Sequence, residues 1–352
     1  FDALSEDLLS DGLLNGAGAT TLTLRDDIKN HFATALLNYH NNGLMMPMDV
    51  FNANNKTVLT SDKIGILPFG KVTYTKDYKV QYMGMMSYVG KTTFKVNVTL
   101  HDGTTPVNNL TPKLVPVMNM ASMRHDTPLG IMTNNNDGTY DFEIYYLMPN
   151  MMGGYWDLGV DLDGTIDNTA HFYPTVMNPM DGTASVVFRG LAGDDVIPTM
   201  LGVQPRPYIV FKESIANSAS AGKHDFSVFL VARESMMSHP AIDVGVVLNS
   251  GDLTYELTIG AVDVEMFIEQ GSHGSGNWTP VTVTNDVEAG YFSATEISGL
   301  SSSSYVDPDT GFTMADIRVK LSINGVYKSN SATGDAPVLD VNDYQTFRVK
   351  LP

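Results

Sequence analysis

Several stretches of this chain alternate apolar and polar residues with a period of two. They are Phe94, Val96, Val98, Leu100; Tyr140, Phe142, Ile144, Tyr146; Ile317, Val319, Leu321, Ile323; and Phe347, Val349, Leu351. Neighbouring side chains of a strand point to opposite faces, so this pattern buries one face of a sheet. Asp102-Gly103, Asp137-Gly138, Asp163-Gly164, Asp181-Gly182 and Asn324-Gly325 supply the turns between such stretches. Short strands between regular turns predict β-sandwiches. The low share of charged residues, 17%, and the abundance of Gly (31) and Pro (17) agree with that reading and argue against helical bundles.

The segment Gly90-Lys91-Thr92-Thr93-Phe94-Lys95-Val96 is echoed by Gly222-Lys223-His224-Asp225-Phe226-Ser227-Val228. Gly138-Thr139-Tyr140-Asp141-Phe142 is echoed by Gly290-Tyr291-Phe292-Ser293-Ala294, and Asp157-Leu158-Gly159-Val160 by Asp316-Ile317-Arg318-Val319. An internal repeat of this kind predicts a mainly β fold of tandem immunoglobulin-like sandwiches. Their expected limits are 66–182 and 195–352, with Phe188 to Val196 as the junction. A short helical N-terminal segment, residues 1–65, precedes them: Asp26 and Asp27 begin a helix running from about Leu24 to Asn41, and Gly43 stops it.

The length of 352 residues gives ample room for buried cores. With 21 Lys+Arg against 39 Asp+Glu the net charge is −18, which disfavours nucleic acid and anionic membrane surfaces as partners. No window reaches the ~20 apolar residues of a membrane-spanning helix. The first residue is Phe1 rather than Met, which suggests an exported protein, periplasmic or extracellular, whose signal has been removed. The absence of Cys excludes disulfides, thiolate metal sites and cysteine nucleophiles. No phosphate loop, nucleophile elbow, zinc-protease helix or dinucleotide fingerprint occurs, so the chain is not expected to be an enzyme.

Methionine is the conspicuous residue. Fifteen of 20 Met lie at or before position 180, an asymmetry that core filling alone does not predict, because both copies of a repeat need similar filler. They concentrate at Met83, Met85 and Met86, at Met118, Met120 and Met123 beside His125, and at Met148, Met151 and Met152. Met45, Met46 and Met48 follow His40. Thioethers and imidazoles suit Cu(I), and imidazole also holds Cu(II). His171 returns toward this cluster after the Trp156 segment. Asp161-Leu162-Asp163-Gly164-Thr165-Ile166-Asp167 has the alternating oxygens of a calcium loop but no downstream Glu, and Asp307-Pro308-Asp309-Thr310-Gly311 is similar. Both read more simply as solvated acidic turns.

From Phe94 to about His171 the sequence resembles the YtkA-like and FixH-like domains. The resemblance runs through Phe94 to Val98, Asp102 to Val107, the Met-x-Met-x-x-Met-x-His block at Met118 to His125, Gly138 to Tyr140, and Met148 to Gly154 with Trp156 to Val160. It implies an exported sandwich associated with copper handling, with Met118, Met120, Met123, His125, Met148, Met151 and Met152 around the ion. The sequence thus points to copper scavenging, buffering or delivery to a copper-accepting protein, with homo-oligomers as a further expected association. The rival is a structural surface or fibre subunit assembling by strand donation or edge pairing.

Overall fold

The computed structural model describes residues 72–352, apart from 85, 121–122, 151–153 and 200, together with a short pairing of Leu14–Asn15 with Thr23–Leu24. Apart from Leu24, the helix expected over 24–41 lies outside the described residues, as do His40, Met45 and Met48.

The first sandwich is built from β1 (Val72–Tyr74), β2 (Tyr78–Tyr82), β3 (Gly90–Leu100), β4 (Lys113–Asn119), β5 (Arg124–His125), β6 (Leu129–Asn134), β7 (Thr139–Tyr146), β8 (Tyr155–Asp161) and β9 (Thr169–Phe172). One sheet runs β1-β2-β3-β7-β6 and the other β9-β8-β4-β5. With β2 as strand A, these are the A-B-E-D and G-F-C orders of an immunoglobulin-like domain. Phe94, Val96, Val98, Phe142 and Ile144 from one sheet meet Met118, Trp156, Leu158 and Val160 from the other in a single core. Leu100, the last apolar position of its run, is exposed because β3 ends there in the Asp102-Gly103 turn.

The second sandwich repeats the plan. Its strands are β10 (Ser185–Arg189), the hairpin β11 (Val196–Thr199) and β12 (Gly202–Pro205), β13 (Pro207–Asn217), β14 (Lys223–Ala232), β15 (Val262–Glu269), β16 (Trp278–Val281), β17 (Thr284–Asn285), β18 (Tyr291–Ser298), β19 (Thr313–Ile323) and β20 (Gln345–Lys350). One sheet runs β10-β13-β14-β18-β17, and in the other β19 lies between β15 and β20, with β16 outside β15. With β13 as strand A the order is again A-B-E-D facing G-F-C. The repeated segments open or form strands B, E and F in both copies. Asn324 and Gly325 both have positive φ, 54° and 75°, as the tight hairpin turn after β19 requires.

Phe188 lies in β10 and is fully buried in the second core. The stretch read from sequence as a junction is therefore structural, and the second sandwich begins at Ser185, before the expected 195. The Gly and Asp of this stretch belong to the loop that leads into the β11-β12 hairpin, after Phe188.

The two sandwiches share a third apolar cluster. Tyr145 from β7 packs on Phe211 and Phe229, ring centroids 5.2 and 4.5 Å away, with Ile209 and Val231 completing the contact. The β13 stretch Pro207–Phe211 and the β14 stretch Val228–Ala232 are buried at every position, because one face serves their own core and the other meets the first sandwich. At the rim of this contact Tyr145 donates its hydroxyl hydrogen to Glu213, and Lys91 pairs with Glu213 and with Glu143.

Candidate functional site

Strand β4 alternates Leu114, Pro116 and Met118 inward, and its register sets Met118 beside Trp156 of β8 on one side and His125 of β5 on the other. His125 is buried against the edge of the Trp156 ring, centroids 5.4 Å apart. Its Nδ1 lies 2.8 Å from the carbonyl oxygen of Asp126 and its Nε2 lies 3.2 Å from the sulfur of Met148. The Trp156 indole donates to the Met148 carbonyl at 3.0 Å, which fixes the Met148 backbone. Burial, and to a lesser degree the charge of His239, holds the His125 imidazole below its ordinary pKa, against the opposing pull of the Asp126 carbonyl. A carbonyl only accepts, so Nδ1 carries the proton of the neutral ring and Nε2 is bare. A nitrogen lone pair and a thioether thus face each other.

The other proposed ligands gather less well. Met118 is wholly buried in the core. Met120 packs partly against that core, and its amide bonds the Met123 carbonyl across the turn, where Met123 is exposed. Met83 and Met86 are exposed after β2. Met85, Met151 and Met152 lie outside the described residues. His171 does not join His125: Ala170 and Phe172 take the inward positions of β9, so His171 points to the outer face of the sheet. There its Nδ1 meets Asp157 at 2.7 Å, a hydrogen bond that raises its pKa. Among the described residues no group of three or more His, Asp or Glu side chains is placed to hold a metal ion.

The acidic turns are built by their own bonds. Asp163 accepts from the Thr165 amide and hydroxyl, and both Asp163 and Asp77 accept from the buried Asn168 amide at 2.7 and 2.8 Å. The Asn168 amide therefore occupies the space between these carboxylates. Asp307 likewise accepts from the amides of Asp309 and Thr310.

One feature of the second sandwich escaped the sequence reading. The Met236 to His239 segment abuts the His125 block: the Asp126 amide bonds the Met236 carbonyl at 3.0 Å, and His239, whose side chain is 2% exposed, reaches the Asp126 carboxylate with Nδ1 at 2.5 Å. The sequence signal for the sandwich contact was the unbroken apolar run of Pro207 to Phe211 and of Val228 to Ala232. A strand with one wet face alternates, and these do not.

No family model matches the chain, and no curated protein matches it. Among solved structures it is similar to invasin, a bacterial integrin-binding protein (10% identity, 78% of this chain and 40% of that one, TM-score 0.23). It is also similar to FdeC, an Escherichia coli adhesin (15% identity, 80% and 65%, TM-score 0.21), and to domains 5-6 of the S-layer protein SbsC (10%, 80% and 97%, TM-score 0.18). The chain spans less than two thirds of the invasin and FdeC structures. At these scores the similarities carry no argument about this protein, and the immunoglobulin-like assignment rests on the strand orders above.

Proposed function

We propose that the chain is a structural subunit of a surface or fibre assembly outside the cytoplasm, joined to its neighbours by strand pairing. The observation that carries this reading is the edge strand β6. It closes one side of its sheet, spans six residues without a charge or proline, and exposes Leu129 by 40% and Ile131 by 46%. Unprotected edges of this kind invite a further strand, and proteins that stay apart blunt them with charge, proline or shortness. The second sandwich follows that rule: β17 has two residues and β16 contains Pro280. The contact between the sandwiches gives such a subunit a fixed internal geometry. Sizing of the full chain over a range of concentrations should show copper-free oligomers that Ile131→Lys abolishes without lowering the melting midpoint. A chain monomeric at every concentration, or assembly indifferent to Ile131→Lys, overturns the proposal.

A second reading is soft-metal binding, favoured by the facing Nε2 and sulfur of His125 and Met148. Metal bonds of about 2.0 Å to nitrogen and 2.3 Å to sulfur, taken from zinc sites, can bridge their 3.2 Å separation. In that reading the pair takes Cu(I), Met120 and Met123 form an exchange rim, and the ion passes to a copper-accepting protein. Stoichiometric copper on a monomer purified from the native host, lost in Met148→Leu, would favour it over the edge-pairing reading.

A further inference from the structure

We infer that the loop end of the second sandwich is a preorganised docking surface for a protein partner that presents basic and apolar side chains together. The inference goes beyond edge pairing at β6, and a monomer can carry it. Three segments meet at this end: the β11-β12 hairpin, the connection from strand B to strand C over 243–258, and the connection from strand F to strand G over 330–343. In an immunoglobulin-like fold the last two emerge at the same end.

A buried ionic network pins all three. Arg206, 1% exposed, donates Nε to Asp195 at 2.8 Å, Nη1 to the side-chain oxygen of Asn249 at 2.6 Å and Nη2 to the carbonyl of Tyr255 at 2.7 Å. Asp195, itself buried, also accepts from the Tyr208 hydroxyl at 2.6 Å and from Lys328 at 2.8 Å. The Ala192 amide reaches the Gly334 carbonyl at 3.1 Å, and a Cβ on Gly334 would meet Gly190 and Pro205, so the F–G connection lies directly against the base of the hairpin. Burying two cations on one carboxylate is a poor way to gain stability and a good way to specify one geometry. Here that geometry is the relative placement of three loops.

The tips of those loops present what a solvated turn avoids. Leu201 is 89% exposed, Leu253 93% and Leu339 72%, with Val203, Val338 and Val341 exposed beside them. Exposed apolar tips on three segments whose bases one network holds together at one end mark an interaction site rather than scattered surface leucines. The uncompensated charge around it is acidic. Of the eight Asp or Glu in residues 190–206, 243–258 and 330–343, Asp195 is buried between Arg206 and Lys328, and Asp340 and Asp343 pair with Lys320, which leaves Asp194, Asp243, Asp252, Glu256 and Asp335 as an acidic rim. Apolar tips in an acidic rim fit a cationic, apolar protein surface, and the net charge of −18 steers such a partner inward. The same acidity disfavours insertion of the tips into an anionic membrane.

The test uses the full chain and three probes: a synthetic peptide alternating Lys and Leu, an oligolysine of equal charge, and phosphatidylcholine vesicles. Binding is followed by titration at low and moderate salt. The Lys-Leu peptide should bind. Leu201→Ser, Leu253→Ser and Leu339→Ser combined should weaken it by about tenfold or more while the melting midpoint stays put, since truncated anchors dominate interface losses. Asp194→Asn, Asp252→Asn and Asp335→Asn combined should weaken it and flatten its salt dependence. Oligolysine should bind less well and ignore the leucine changes. Failure of the peptide to bind, equal binding by the leucine variant, or vesicle binding in place of peptide binding overturns the inference. A β6 assembly that persists in the leucine variant leaves the edge-pairing reading standing.

Discussion

Tyr145 tests whether the two sandwiches behave as one body. Its side chain is fully buried, yet it faces away from the core of its own sandwich and belongs to the cluster with Ile209, Phe211, Phe229 and Val231. Replacing a buried aromatic by alanine costs about 3–5 kcal/mol. The two ring contacts at 4.5 and 5.2 Å put this site in the upper part of that range. The loss falls on the contact between the sandwiches. Phe142→Ala removes a similar amount from the first sandwich's own core. Calorimetry of the full chain should therefore show one transition for the parent, two for Tyr145→Ala, and for Phe142→Ala one transition lowered by roughly 10 °C. Tyr145→Phe keeps the ring and removes the hydroxyl's bonds to Glu213, which Lys91 still partners, and to the Tyr291 hydroxyl, so it should cost about 1–2 kcal/mol and leave a single transition. If Tyr145→Ala keeps a single transition shifted like that of Phe142→Ala, the cluster does not couple the sandwiches and the argument fails.

Gly138 has φ +86°, and a Cβ there would meet Pro106 at 2.7 Å, whereas Gly164 has φ +84° with open space around it. Gly138→Ala should thus cost about 2 kcal/mol more than Gly164→Ala in denaturant titrations, the excess measuring the clash rather than the backbone strain common to both. The His125 pKa is depressed by burial, so the unfolded chain binds the extra proton first. Its contribution is complete above about pH 6.5, falls as the pH drops from there toward the folded value, and stops changing below it. His125→Phe should flatten that limb of the stability profile, and an unchanged limb would show that other groups set it. Met148→Leu keeps apolar volume and should cost under ~1.5 kcal/mol in the apo protein, yet lower Cu(I) affinity about tenfold if sulfur is a ligand. Arg206→Met leaves Lys328 alone to neutralise buried Asp195, and should cost about 3–5 kcal/mol and loosen the loop end first, visible as faster amide exchange over 243–258 and 330–343.

The fold was legible because its signal is local. In β3, β7, β19 and β20 the period-two apolar positions are the buried ones, Leu100 excepted, and the echoed Gly-Lys and Gly-x-Tyr/Phe segments fall on equivalent strands. The methionine cluster was legible as composition and only in part as a place. Spacing grouped Met118, Met120 and Met123 beside His125, but spacing cannot say which of them faces the core, where Met118 packs as an ordinary apolar residue. His171 shows the same limit. Its nearness in sequence to Trp156 suggested convergence, while the single-residue alternation of β9 sends it through to the opposite face.

What the sequence concealed depends on contacts across more than a hundred positions. Asp126 meets His239, Lys91 meets Glu213, and Asp195 meets Lys328. Each partner alone reads as an ordinary polar residue in a turn or at a strand end, since nothing in a local window distinguishes a buried charge from a solvated one. The continuous apolar runs of β13 and β14 are the exception, because a strand without a polar face must be covered twice. One cover is its own sandwich. The second must come from elsewhere in the chain or from another molecule, and here Tyr145 and its neighbours supply it. The same reasoning separates the two surfaces left open. β6 does alternate, with Met132 turned to the core and Leu129 and Ile131 turned out, so its unmet need is a hydrogen-bonded neighbour along the edge rather than a covering layer. The loop tips of the second sandwich lie in no ladder, and their need is apolar contact alone. A β-strand satisfies the first and not the second, so variants at Ile131 and at Leu201, Leu253 and Leu339 should affect different partners.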